Sequence, residues 1–108
     1  MRGRPFLRVL VDAPFEGPLD YADDTSPGPT SDSPVGLRCV VPLGRRKVVG
    51  IVVGVADSTE LEPSRIRSIV RALDDIPPLG VHWLALTRFA AEYYQHPWGQ
   101  VAVAALPP

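Results

Sequence analysis

The side chains able to do chemistry lie in three separate places. Asp20 stands beside Tyr21, Gly44 opens a run of three cations (Arg45-Arg46-Lys47), and Arg65, Arg67 and Arg71 recur along a later segment. Together they suit recognition. A carboxylate with nearby backbone N–H and C=O groups can hydrogen-bond a base edge, and an aromatic ring can pack on its face. A glycine lets a ribose approach the main chain, and an arginine can take a phosphate. Each piece also has a plainer reading. Asp20 caps a turn, Tyr21 belongs to the core, the basic turn serves solubility, and at least one of the arginines lies on a solvated strand face.

Catalysis has no comparable support. The chain has no G-x-x-x-x-G-K-[ST] phosphate loop and no Cys/His cluster at zinc spacing. His82 and His96 lie fourteen positions apart with no acid or nucleophile patterned beside them, so both read as structural. No pair of acids is forced together by spacing. Cys39, the single cysteine, sits in an apolar run and reads as a buried free thiol in a reducing compartment. The expectation is a domain without catalytic residues, metal or cofactor.

The elements that must position these residues begin with Val40 to Val55. This stretch reads as a strand, a tight basic turn at Gly44 and a second strand from Lys47 to Asp57. A strand of that length spans roughly 36 Å at ~3.3 Å per residue, about twice the usual. It must bend to stay within a small domain, most cheaply at Gly50 and Gly54. Pro42 should end pairing or lie at an edge, having no N–H for a ladder. Pro5–Asp12 reads as a first strand and Leu19-Asp20-Tyr21 as a short extended piece. Residues 22–34, rich in Asp, Ser, Gly and Pro, read as a flexible surface loop. Arg65–Leu73 fits either helix or strand. As a strand, which we take, it sets Arg65, Arg67 and Arg71 on one face. Leu79–Gln95 is the strongest helix, with Leu86, Phe89, Ala90 and Tyr93 forming a core-facing stripe that His82 and Trp83 extend. His96-Pro97 breaks it, and Gln100–Leu106 makes a short second helix. The fold class is mostly β with a C-terminal helical segment (α+β): a small, strongly curved, barrel-like sheet packed by one long and one short helix.

The 108 residues suit one domain, 1–108, and Pro107-Pro108 reads as the exit to a linker in a longer protein. The net charge of −1 conceals a division. Asp12–Asp32 carries six acids and no base, whereas Arg38–Arg71 carries seven bases against three acids. That excess reaches one or two phosphates but does not hold a long duplex. No apolar run approaches the ~20 residues of a membrane span. Arg8 and Asp12 interrupt any signal-peptide core, so the chain reads as cytoplasmic.

In this order the pieces resemble a family, the N-terminal 3′-DNA-end-binding domain of the PriA (primosomal protein N′) replication-restart helicases. The resemblance runs from about Phe6 to Pro107. It rests on Leu19-Asp20-Tyr21 against the family's Phe-Asp-Tyr, and on Val41-Pro42-Leu43-Gly44 against its Val-Pro-Phe-Gly, with Gly50-Ile51-Val52-Val53 following at the family's spacing. Leu73-Asp74, Ala90-Ala91-Glu92-Tyr93-Tyr94, His96-Pro97 with Gly99, and Ala105-Leu106-Pro107 complete the set. The Tyr-Tyr-x-His-Pro-x-Gly run after the Val-Pro-x-Gly hairpin is its most specific part.

The resemblance implies a non-catalytic module, associated with the nucleoid, that captures the 3′-terminal nucleotide of the nascent leading strand at a stalled fork. It reads no particular base and reaches other primosome proteins through the full-length parent. By position, Asp20 would bond the base edge, Leu19 and Tyr21 would shape the pocket, Gly44 would lie against the sugar, and Arg67 stands where the family has lysine. Arg45, Arg46 and Lys47 would supply phosphate contacts. Leu19 forgoes the family's aromatic ring, Arg67 changes the geometry of the charge, and the 22–34 loop is longer than the family's. Two other readings stay open from the residues: a protein-interaction module docking on a helicase or primosome partner, and an oligonucleotide-binding barrel without preference for a strand end.

Overall fold

The computed structural model describes residues 6–23, 34–73 and 75–107. Five strands, β1 (Phe6–Leu10), β2 (Leu19–Ala22), β3 (Arg38–Leu43), β4 (Arg46–Ala56) and β5 (Arg71–Leu73), form one sheet in the order β2-β1-β4-β3-β5. All its ladders are antiparallel. Helices α1 (Val81–Tyr94) and α2 (Trp98–Ala104) follow. The fold is therefore mostly antiparallel β with two C-terminal helices.

β4 is the strand on which the others are hung. Its first part pairs with β3 and its last part with β1, the two ladders meeting at Ile51. Between Arg8↔Gly54 and Val9↔Val52 the register shifts and leaves Val53 as the extra residue of a β-bulge, which bends the strand. Gly50 permits a close approach of β1 to β4. A Cβ there would lie 2.4 Å from Val9 Cγ1 and 2.9 Å from the Leu10 carbonyl oxygen.

The curved sheet buries two sets of side chains. One contains Leu7, Val9, Tyr21, Cys39, Val41 and Val52, with Ile69 packed among them. The other joins Leu10 and Ile51 to the helices through Leu84 and Ala102. Trp98 Nε1–H donates to Thr87 Oγ1 (3.0 Å), tying α2 to α1. The Tyr93–Gly99 run is a helix-to-helix corner. Gln95 caps α1 with φ 57°, Pro97 is the N-cap of α2, and a Cβ on Gly99 would stand 2.0 Å from the Val11 carbonyl oxygen.

Several expectations need correction. The sheet is not closed into a barrel: β2 and β5 remain its edges. Among the described residues, an isolated parallel bridge, Ala22↔Ser68, is the nearest approach to closure. There Ala22 N–H donates to the Arg67 carbonyl (2.9 Å) and Ile69 N–H to the Ala22 carbonyl (3.1 Å). The single strand expected over Arg65–Leu73 is divided. Pro63–Arg65 is a 3-10 turn, and only Arg71–Leu73 pairs as a strand. The reason is that the intervening backbone crosses from the β2 edge to the β3 edge, where Val70 N–H donates to the Val40 carbonyl (2.8 Å). The core-facing stripe on the long helix is also reversed. Leu84, Thr87 and Ala91 are buried, while Leu86, Phe89 and Tyr93 are 65–70% exposed, and His82 is exposed too. Pro42, by contrast, meets the expectation of an edge position: it pairs with Lys47 of β4 at a place on β3 that β5 does not reach. The loop expected at 22–34 begins within β2 at Ala22, and its residues 24–33 lie outside the described residues.

Candidate nucleic-acid interface

β2 is a short edge strand, and its alternation divides the site residues between two faces. Leu19 and Tyr21 turn toward the cluster that contains Leu7 and Val9. Asp20 turns the other way, opposite Arg8 of β1. Tyr21 is buried, and its hydroxyl donates to the Pro42 carbonyl (2.7 Å), fastening β2 to the β3–β4 hairpin. Burial pushes the Tyr21 phenol above its ordinary value, Arg67 partly opposing. Tyr21 is thus both a core residue and a wall of the site.

The hairpin turn is Gly44-Arg45, closed by the Leu43↔Arg46 pair. Gly44 has φ +62°, the left-handed value that a two-residue turn of this kind asks of its first position. Arg67 Nη1–H donates to the Gly44 carbonyl (2.7 Å), so the guanidinium is held at the turn. Asp20 is steadied from a third direction. Thr59 Oγ1–H donates to Asp20 Oδ2 (2.6 Å), and Leu61 N–H donates to Thr59 Oγ1 (3.3 Å). The Arg8 Nε lies 3.9 Å from Asp20 Oδ1, a charge contact too long for a hydrogen bond.

Leu19, Asp20, Tyr21, Gly44 and Arg67 all line one cavity of about 350 Å³, with Pro42 and Leu43 on its hairpin side and Leu61 and Arg65 on its rim. Residues distant in sequence therefore converge on a nucleotide-sized hollow with a carboxylate, a guanidinium and an open glycine turn. Arg45, Arg46 and Lys47 are exposed at the hairpin and do not line it. Among the described residues no group of His, Cys, Asp and Glu could hold a metal ion. A carboxylate only accepts hydrogen bonds, so Asp20 suits a ligand edge that donates them.

The model of the PriA 3′DNA-binding domain (3′BD) family matches residues 8–107. The chain belongs to the PriA 3′DNA-binding domain family. A curated relative, the replication restart protein PriA of Haemophilus influenzae, is 32% identical over 106 residues, covering 94% of this chain and 13% of the relative. The chain thus spans about an eighth of that relative's length. As a PriA 3′DNA-binding domain it is a DNA-binding unit rather than a catalytic one.

Sequence reasoning missed three neighbours of the site. Thr59 lies in a polar connection whose composition distinguishes none of its members. Arg8 alternates with apolar neighbours in β1 and resembles any solvent-facing strand residue. Leu61 is an isolated apolar residue between Glu60 and Glu62. The approach of the 59–61 connection to β2 reveals Thr59 and Leu61, and the β1–β2 register, which sets Arg8 opposite Asp20, reveals Arg8.

Proposed function

We propose that this domain captures the 3′-terminal nucleotide of a DNA strand in the cavity between β2 and the β3–β4 turn. The observation that carries the reading is the convergence of Asp20, Gly44 and Arg67, from three distant parts of the chain, on one hollow of about 350 Å³. Asp20 accepts hydrogen bonds from the base edge. Adenine, cytosine and guanine each offer an exocyclic amino donor, and thymine a ring N–H, so a lone carboxylate takes any of them. The sugar lies on Gly44, where an added Cβ would meet nothing of the protein within 4 Å and the space is open to a ligand. Arg67, held at the turn, adds a positive charge beside the captured nucleotide, and Arg45, Arg46 and Lys47 strengthen the field around the turn. A 3′-phosphate is disfavoured because it would crowd the sugar's place at the turn and be repelled by Asp20. In the parent protein, end capture orients the replication-restart machinery on the nascent leading strand of a stalled fork, and other primosome proteins are met there.

The contacts of this single site set a modest affinity. One base-edge contact is worth ~1–3 kcal/mol, so tight fork binding draws on other domains through effective concentration. Titration with matched oligonucleotides ending in 3′-OH or 3′-phosphate tests the reading. The hydroxyl end binds more tightly, and Asp20→Ala removes the preference. Equal binding of both ends, or an Asp20→Ala variant that binds as the parent does, rejects it. The second reading, a module that docks on a helicase or primosome protein, draws support from the exposed Leu86, Phe89 and Tyr93 of α1. It predicts that neither oligonucleotide binds.

A further inference from the structure

The terminal-nucleotide cavity is not isolated. Leu19, Asp20 and Leu61 also line a second hollow of about 580 Å³, whose opposite wall includes Arg8 and Pro18. Arg8 and Pro18 in turn line a third, of about 470 Å³, in the crease between β1 and the α1–α2 corner. Shared lining residues set the three side by side, a trough of adjoining hollows along β2. We propose that the strand preceding the captured end follows this trough, with its first phosphodiester at Arg8 and a further base in the crease against Trp98 and Pro18. The inference rests on the end-capture reading and adds a second, upstream subsite for single-stranded DNA.

Arg8 is placed for that role. Its stem lies over Gly54, where an added Cβ would be 3.5 Å from Arg8 Cδ. Its side chain is half exposed, and its guanidinium stands beside Asp20 without a hydrogen bond to it. A phosphate linking the captured nucleotide to the next finds a cation there. The crease has a different chemistry. Arg88 sits 5.1 Å over the Trp98 ring and pairs with Glu92 (3.4 Å), and Glu16 and Glu92 both line the hollow. The two acids oppose a phosphate but accept hydrogen bonds from base amino groups. Trp98 and Pro18 supply apolar walls, Trp98 being fixed in place by its bond to Thr87. The arrangement therefore places the phosphate at Arg8 and a base in the crease. Because Pro18 and Trp98 exclude water from any base, the subsite accepts all sequences.

The test is an NMR titration of the chain with a deoxynucleoside, a dinucleotide, a trinucleotide and a hexanucleotide, all ending in 3′-OH, at two salt concentrations. Affinity should rise about tenfold or more from the nucleoside to the trinucleotide and then level off. The Trp98 indole N–H resonance should move with the trinucleotide and stay still with the nucleoside. Arg8→Ala should lower trinucleotide affinity several-fold more than nucleoside affinity and reduce the salt slope by about 1, with Arg8→Lys restoring the slope. Arg88→Ala, remote from Asp20, should weaken only the longer ligands. If Asp20→Ala abolishes nucleoside binding but affinity is independent of length, or Trp98 never responds, the upstream subsite is wrong and end capture stands. If Asp20→Ala leaves nucleoside binding unchanged, both fail.

Discussion

Asp20 is held by Thr59 at 2.6 Å and approached by Arg8 at 3.9 Å, so the carboxylate is aimed before a ligand arrives. Such preorganisation lowers the ordering cost of binding. Gly44 offers a way to separate the demands of backbone from those of ligand. Its φ of +62° is costly for a residue with a side chain, while a Cβ there meets no protein atom within 4 Å. Gly44→Ala should cost about 1–2 kcal/mol of stability from the left-handed backbone. Under conditions where the variant is fully folded, it should also lose oligonucleotide binding, because the methyl occupies the sugar's place. Denaturant unfolding and a binding titration read the two effects independently. Asp20 and Gly44 were legible as candidates because a lone acid beside an aromatic and a glycine at a hairpin turn are local patterns. Thr59 was not, since its partner lies 39 positions away.

At the scale of elements, the hairpin is legible in the sequence to within two residues at each strand end. Turn chemistry and strand periodicity are properties of neighbours in sequence, and the bend in β4 falls where Gly54 and the Val53 bulge permit it. The helix shows where such reading fails. α1 has two apolar faces, and bulk alone favoured the one with Leu86, Phe89 and Tyr93. The face that packs is instead lined by Leu84, Thr87 and Ala91, whose small members let α1 approach its neighbours closely. Phe89 and Tyr93 spend their aromatic surface on each other, with ring centroids 6.1 Å apart. Polar substitutions at Leu86 or Phe89 should therefore change stability by no more than about 0.5 kcal/mol. Leu84→Ala should cost about 2–5 kcal/mol. Urea denaturation of the three variants decides the matter, and the opposite ranking would restore the bulky stripe to the core. The Arg65–Leu73 segment failed for another reason. Its alternation suits a strand, but its backbone partners lie on two different strands, a circumstance no local window contains.

At the scale of the molecule, the pieces of the site and the core are the same pieces. Tyr21 and Cys39 belong to one buried cluster. Burial, with a smaller contribution from Asp23, pushes the Cys39 thiol from its ordinary 9.0 up to about 12, and Tyr21 shifts in the same direction. The folded state thus holds these protons more tightly than the unfolded chain. Their contribution to stability is complete below the unfolded thiol's 9.0 and falls as pH rises toward about 12. Urea midpoints should decline across that interval, and Cys39→Ala should flatten part of the decline. The fold class was legible because alternation and helical spacing declare themselves in short windows. The open order of the sheet was not, because closure depends on how far β2 and β5 stand apart. The bridge between Ala22 and Ser68 has a last consequence for that open sheet. The backbone groups that Ala22 would otherwise offer to a neighbouring molecule are already taken by Arg67 and Ile69. An edge so occupied is a poor template for strand addition. The strand that carries Asp20 is thereby guarded against intermolecular pairing at its Ala22 end, while its side chains remain open to a ligand.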